Sequence, residues 1–576
     1  DQSELNTARA FLIKYVEKAT GVALDYEYYD ESITYSADAK YIVLGCPELF
    51  AAAGLTMPTD NIGQTGYYVK SAGNSVFLQT KGVFGYQNAV IAFLRHVLGY
   101  EMYSGDIVTF SKSGATLPDL DITEKPDFEF HIQGNPVTSD ARYGMGFMNT
   151  SQIFIPIDGL TQHNTFAFLP PATYKASHPD WYSTTNDQLC YTAHGDGDEL
   201  EAMVDTVYQR MIQLLEEKPN VSNITFTQED VRSQCACGAC QKIMEDYGTI
   251  SAAIIKFCNN LSRKGQAYLQ AQAEEAGTAK REFNIMFFAY HRSEKPPATK
   301  DANGVWHPID ETVVCDENVG VYIAPIDAFY NKSFYHDDNA SAANNIDGWA
   351  ACAQKLYMWL YETNYHYYFY PINTYDTMIE TYRFCFDRGA IYMMNEGQWD
   401  QPNVTHFSKL KEYFNAKAEF DVNVNFNDVA NDFFANYFKE AAAPMRQFFD
   451  ELQAQLRWIE ATYPADVPGG IYNNMEQERF WPKKMLDHWL DLCDEAYAAI
   501  EPYRARDPEL YEALHKNILL ETIFPRYALI RLYPGRYDAG TLKEMQRSFK
   551  EDANALGIRR HRENKSIDEI YNDWNV

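Results

Sequence analysis

The chain has 576 residues, 46% apolar and 22% charged, the balance of a packed globular protein rather than a disordered one. At roughly 150 residues per domain the length implies about four domains, or fewer if one is a barrel of about 250 residues. Asp and Glu outnumber Lys and Arg by 80 to 49, and a net charge of −31 repels phosphate backbones and anionic lipid, so nucleic acid is not an expected partner.

Residues 1–120 read as a small α/β domain. Ala39–Gly45 is an apolar strand ending in a turn, and Gly66–Lys70 and Ser75–Gln79 flank Ala72-Gly73-Asn74 as a hairpin. Asn88–Leu94 has helical apolar spacing. Leu117–Asp127 is acidic, contains Pro118 and Pro126, and reads as a linker. No apolar run approaches the roughly 18 residues of a spanning helix, since the longest, Ala89–Leu98, is broken by Arg95 and His96. The chain opens on Asp1 without a basic, apolar leader, so a removed signal peptide and a secreted, periplasmic or cell-surface location are expected.

From 128 to 404 the pattern changes to short apolar runs separated by helical stretches such as Asp198–Leu215 and Ile250–Arg263. The runs are Phe128–Ile132, Thr165–Leu169, Gln188–Thr192, Asn223–Thr227, Asn284–Ala289, Gly320–Ala324, Lys355–Leu360 and Ala390–Asn395. Eight strand-then-helix units at this length predict an α/β fold, a (β/α)8 TIM-like barrel. Residues 405–576 read as a helical C-terminal domain, with Phe426, Val429, Phe433 and Tyr437 forming one apolar stripe.

In a barrel, residues just past the C-terminal strand ends face the active site. Glu229 and Asp230 follow the fourth run, Tyr290 and His291 the fifth, Trp359, Tyr361 and Asn364 the seventh, and Glu396 and Trp399 the eighth. His163 precedes the second run and faces the site only if that strand is misplaced. Glycoside cleavage needs a proton donor at the leaving oxygen and a second group that stabilises or captures the cationic sugar carbon. Two adjacent carboxylates divide those roles, because repulsion raises the pKa of one of them; on a chain this acidic they also occur simply as solvated acids. A 2-acetamido sugar supplies its own nucleophile, leaving one carboxylate to orient the amide. Aromatics are 15% of the chain, enough both for a large core and for rings that stack on sugar faces. Tyr290, Trp359, Tyr361, Tyr365, Tyr367 and Trp399 would place such rings at one mouth.

Of ten cysteines, three form the run Cys235-Ala-Cys237-Gly-Ala-Cys240 and seven are scattered, which is not a disulfide framework. The run is compatible with a thiolate metal knuckle, a loop disulfide or packed thiols. A structural zinc needs a fourth ligand from a distant Cys190, Cys258 or a His. The reading carried forward is packed thiols, with no metal and no cofactor, so that a chelator leaves activity unchanged.

Residues 41–103, with Ile-Val-Leu-Gly, Gly-Tyr-Tyr-Val and Gly82–Tyr103, resemble the small domain that precedes the barrel in bacterial α-glucuronidases and β-hexosaminidases. His178–Tyr182, Gln188–Cys190, Gln228–Asp230 with Cys235–Cys240, Trp359–Tyr361 with Asn364, and Gly389–Gly397 resemble a bacterial group known as a domain of unknown function. Phe407–Phe414 and Asp432–Tyr437 extend the match into the helical tail. Part of that group forms glycoside hydrolase family 163, endo-β-N-acetylglucosaminidases acting on complex N-glycans. The resemblance implies a retaining, acetamide-assisted mechanism on a glycan or glycoprotein. In it Glu229 is the general acid/base and Asp230 the acetamide-orienting group, or the reverse. His163, Tyr290, His291, Trp359, Tyr361, Asn364, Glu396 and Trp399 line the substrate site. An exo-acting hexosaminidase, an α-glucuronidase-like enzyme and a non-catalytic glycan-binding barrel are the alternatives.

Overall fold

The computed structural model of the chain describes residues 2–59, 61–112, 116–134, 146–150, 153–219, 221–401 and 405–576. It divides into two compact units, one of residues 1–150, 361–382 and 395–576, the other of 151–360 and 383–394.

The first unit begins with α1 (Gln2–Thr20), which packs against α2 (Gly85–Leu98). Beside α2 lies a four-stranded sheet of β1 (Ile42–Leu44), β2 (Tyr67–Ala72), β3 (Ser75–Thr80) and β4 (Asp121–Glu124), in the order β1-β3-β2-β4. The hairpin predicted around Gly73 is present, with Val69 opposite Leu78 in an antiparallel register. On β3, Val76, Phe77 and Leu78 are all buried. Alternate side chains of a strand leave on opposite faces, and Phe77 packs with Val43, Cys46, Leu49 and Phe50. The acidic stretch expected to be a linker is instead partly sheet: β4 pairs antiparallel with β2, Ile122 opposite Val69. In Asp121-Ile122-Thr123-Glu124 only Ile122 is buried, and outward carboxylates are what an edge strand tolerates. The run Phe128–Ile132 overlaps a short strand of this unit, Phe130–Gly134.

The tail beyond 407 is helical, as expected. Its main elements are Ser408–Phe420, Phe426–Tyr437, Ala442–Thr462, Lys483–Ile500, Pro508–Leu532 and Ala539–Ala555. Of the predicted stripe, Phe433 and Tyr437 are buried and stack at 4.5 Å, while Phe426 and Val429 are half-buried.

The second unit carries a parallel sheet. Its strands are β5 (Phe154–Ile155), β6 (Asn223–Thr225), β7 (Asn284–Ala289), β8 (Val319–Ile323), β9 (Lys355–Tyr361) and β10 (Ala390–Glu396), side by side in chain order. Ile155 and Ile285 both lie opposite Ile224, and Phe287 opposite Val321. Every residue of β7 and β8 is buried, the pattern of strands covered on both faces. Helices α3 (Gly197–Glu217), α4 (Gly238–Tyr247), α5 (Ser251–Ala276) and α6 (Ala340–Cys352) lie between strands in the chain. Asp196 caps α3 by accepting from the N–H groups of Asp198 and Glu199, and Gly277 ends α5 at φ +65°.

This is a curled parallel α/β sheet, and among the described residues it does not close into the eight-stranded ring expected. Two of the eight predicted strands are absent. Thr165–Phe168 is a single helical turn, and Gln188–Thr192 contributes only an isolated bridge, Leu189 to Tyr182. An apolar run of about five residues is equally compatible with a buried turn, so periodicity does not separate the two. The true first strand of this unit, β5, is only two residues long.

Alternate residues of the strands build an aromatic column on one face. Tyr322 lies 5.4 Å from both Phe288 and Trp359, 5.5 Å from Tyr392 and 6.1 Å from Phe154. Gly320 makes room beside the column: a Cβ there would stand 2.8 Å from the Tyr357 ring. No helix of the described residues is long and apolar enough to cross a membrane.

Candidate functional site

The column ends at the C-terminal edge of the sheet, where the chain leaves β6 and β7. Gln228, Glu229 and Asp230 follow β6, and Tyr290 and His291 follow β7. Phe288 touches both Tyr290 and His163, at ring separations of 5.9 and 5.2 Å. His163 lies past β5, as the misplaced second strand would require, and its Nδ1 is 2.8 Å from the Gln228 carbonyl. The buried Gln228 donates from Nε2 to Ser293 Oγ at 2.6 Å. Asn164 bridges the same two segments: its Nδ2 donates to the Thr225 carbonyl at 3.0 Å and its Oδ1 accepts from the Thr227 N–H at 2.9 Å.

The two carboxylates have different surroundings. Glu229 is half-buried, and its Oε1 accepts from the Thr165 hydroxyl and from the Phe166 N–H, each at 2.8 Å. It therefore holds the short turn at Thr165–Phe168, where free backbone donors attract an anion. The Glu229 carbonyl in turn accepts from Gln188 Nε2 at 2.8 Å. Asp230 is open, with 63% of its side chain exposed. Its Oδ1 accepts from the Tyr290 hydroxyl at 3.0 Å and lies 3.9 Å from His291 Nε2. Burial, helped by the charge of Arg232, pushes His291 below its ordinary range against the pull of Asp230 and Asp327. Burial thus favours the neutral form of the ring. His163 and His291 both hold positive φ, +49° and +51°, a strained backbone that concentrates at functional sites.

The site residues expected from the sequence divide between the two units. His163, Glu229, Asp230, Tyr290, His291 and Trp359 come together in the second. Asn364 and Trp399 belong to the first, as do Tyr361 and Glu396, the last residues of β9 and β10. There Asn364 is buried and donates to the Asn473 carbonyl at 2.9 Å, and the Glu396 carbonyl accepts from the Tyr365 hydroxyl at 3.2 Å. Tyr361 packs on Tyr365 with ring centroids 6.1 Å apart, and Trp399, 40% exposed, reaches Glu563 Oε1 at 3.3 Å.

Three charged residues escaped the sequence reading. Asp327 stands four residues past the end of β8, a strand end that reading passed over, and it pairs with Arg232 at 3.4 Å. Glu294 closes the turn after His291; burial pushes its carboxyl up to about 7, opposed by the Asn345 amide and aided by Asp327. Only the strand-end rule could have flagged them.

Glu294 yields a pH prediction. Its folded pKa of about 7 lies above the ordinary 4.5, so folding takes up a proton between those values. The stability this group contributes is present below 4.5 and is lost as the pH rises through about 7. Glu294→Gln stays neutral throughout. Its melting temperature should exceed the wild type's at pH 8 and match it at pH 4.5; an equal gap at both would refute the assignment.

What these elements define is a parallel α/β protein with an exposed carboxylate, a tyrosine hydroxyl and a wall of rings at the C-terminal strand edge. Residues 111–450 match the family described as a domain of unknown function (DUF4838), and the chain belongs to that family. No curated protein matches it. Among solved structures it is similar to a GH138 enzyme targeting pectin rhamnogalacturonan II, at 10% identity and TM-score 0.41, over 99% of this chain and 96% of that one. It is similar to CpGH84B at 11% identity and TM-score 0.42, over 94% and 97%. It is also similar to a family 89 glycoside hydrolase from Clostridium perfringens, solved with 2-acetamido-1,2-dideoxynojirmycin, at 9% identity and TM-score 0.49, over 96% of this chain and 65% of that one.

Proposed function

We propose that the protein is a glycoside hydrolase that cleaves beside a β-linked N-acetylglucosamine, with Asp230 as the working acid and base. The observation that carries this reading is the contrast between the paired carboxylates: Asp230 is open and held by Tyr290, whereas Glu229 is committed to Thr165 and Phe166. A group that protonates a leaving oxygen must reach it directly. Asp230 has that access, so it takes the acid/base role first given to Glu229, and Glu229 becomes a positioning residue.

In this scheme the acetamide oxygen of the substrate attacks the anomeric carbon while Asp230 gives its proton to the departing glycosidic oxygen. The resulting oxazolinium ion, which keeps the amide proton, is opened by water, which returns a proton to Asp230, and the anomeric configuration is retained. The Tyr290 hydroxyl, 3.0 Å from Asp230 Oδ1, orients the carboxylate, and its ring is held in place by His163 and Phe288, both at 5.9 Å.

Endo action on complex N-glycans is the finer reading, supported by the motif Gln228-Glu229-Asp230 and its flanking cysteines. Incubation with a complex N-glycoprotein, followed by mass analysis of the released material, tests it. The expected product is an intact glycan lacking one core N-acetylglucosamine. Released monosaccharide would replace endo by exo action, and an unchanged glycoprotein together with unchanged aryl N-acetyl-β-glucosaminides would overturn the glycosidase reading.

A further inference from the structure

Ten cysteines in one chain need ten local explanations, and six of them, at 46, 258, 315, 352, 385 and 493, are single buried thiols. The other four converge. Cys235, Cys237 and Cys240 lie just past Asp230, and the fourth sulfur is that of Cys190, 45 residues upstream of Cys235. The four Sγ atoms all lie within 4.8 Å of one another. Cys190 Sγ is 3.7 Å from Cys237 Sγ and 3.7 Å from Cys240 Sγ.

Those distances discriminate between the three readings of the cysteine run. A disulfide holds its sulfurs about 2.05 Å apart, so no bond joins these pairs. Four thiolates at about 2.3 Å around a tetrahedral zinc stand about 3.8 Å from one another, close to the spacing of Cys190 from Cys237 and Cys240. The surroundings favour thiolates as well. The His194 N–H donates to Cys190 Sγ at 3.3 Å, and the Cys240 N–H donates to Cys237 Sγ at 3.4 Å. Cys237 is the N-cap of α4, where the helix dipole favours negative charge. Backbone donors of this kind orient ligand sulfurs and offset part of their charge. Ala193 and His194 hold positive φ, +41° and +52°, so the backbone beside Cys190 is bent against its preference.

We propose that Cys190, Cys235, Cys237 and Cys240 bind one zinc ion as a closed tetrathiolate site. Binding releases the four thiol protons to solvent and leaves no open coordination position, so the ion is structural. Its place in the chain gives it a task. Gln188, two residues before Cys190, donates to the Glu229 carbonyl at 2.8 Å, and Asn186 Nδ2 donates to the Gln234 carbonyl at 2.8 Å. The ion would fasten residues 186–194 to residues 229–240, and so fix the loop that carries Asp230. This inference stands whether or not the chain is a glycosidase, because its test reads metal and not turnover.

The test is elemental analysis of the full chain purified under reducing conditions without chelator. About one zinc per chain is expected, falling below about a tenth in Cys190→Ser and Cys240→Ser and unchanged in Cys258→Ser, a buried thiol outside the cluster. If the ligand variants fail to fold, cobalt exchange into the wild type decides the matter: a tetrathiolate gives an intense sulfur-to-cobalt charge-transfer band together with tetrahedral visible bands. Purified protein free of zinc that gives no such spectrum, iron in place of zinc, or alkylation mass analysis showing a disulfide within the cluster would each overturn the proposal.

Discussion

Asp230→Asn is expected to lower glycan release by a factor of about 10² to 10⁴ while leaving the melting temperature nearly unchanged. The side chain is 63% exposed, so its amide analogue is tolerated by the fold. The amide accepts the Tyr290 hydroxyl as before, and what disappears is the transferable proton. Glu229→Gln should behave differently. An amide oxygen still accepts from Thr165 and Phe166, so both activity and stability should stay near wild type. Glu229→Ala removes that acceptor, strands the Phe166 N–H, and should cost about 1–3 kcal/mol of stability with a partial loss of activity. Turnover and thermal melting measured on the three variants together separate the roles. A full loss in Glu229→Gln with a nearly normal Asp230→Asn would restore the assignment first made from the sequence.

The interior strands were legible because burial on both faces leaves a continuous apolar run. Asn284–Ala289 is read without error, and Lys355–Leu360 and Ala390–Asn395 each miss a single terminal residue. Legibility fails where a segment is short or its role is set by distant partners. Nothing in Thr165–Leu169 announces a turn held by Glu229, since that hydrogen bond spans 64 positions. The edge strand Asp121–Glu124 hides behind its carboxylates, having one inward side chain. The site shows the same division. The strand-end rule finds Glu229, Asp230, Tyr290 and His291, but which carboxylate is free depends on what approaches each, and no spacing encodes that. The cysteine run is the sharpest case: three of the four clustered thiols are local and visible, while the choice of Cys190 over Cys258 or a His as the fourth is made only by proximity in space.

Tyr322→Ala is expected to cost about 3–5 kcal/mol, the loss for deleting a buried aromatic side chain, and to lower the melting temperature by several degrees or more. Tyr322 is 3% exposed on β8, with the rings of Phe288, Trp359, Tyr392 and Phe154 all within 6.1 Å. Tyr322→Phe, which keeps the ring, should lie within about 1.5 kcal/mol of wild type. The effect should reach the site. Phe288 supports both His163 and Tyr290, and Tyr290 holds Asp230. Loss of the Tyr322 ring removes one side of the Phe288 packing, so the protein that remains folded should also turn over more slowly than the Phe variant. A Tyr322→Ala protein that melts and turns over like wild type would mean that the aromatic column does not support the site, and that the hydrogen bonds of Asn164 and Gln228 hold Asp230 without it.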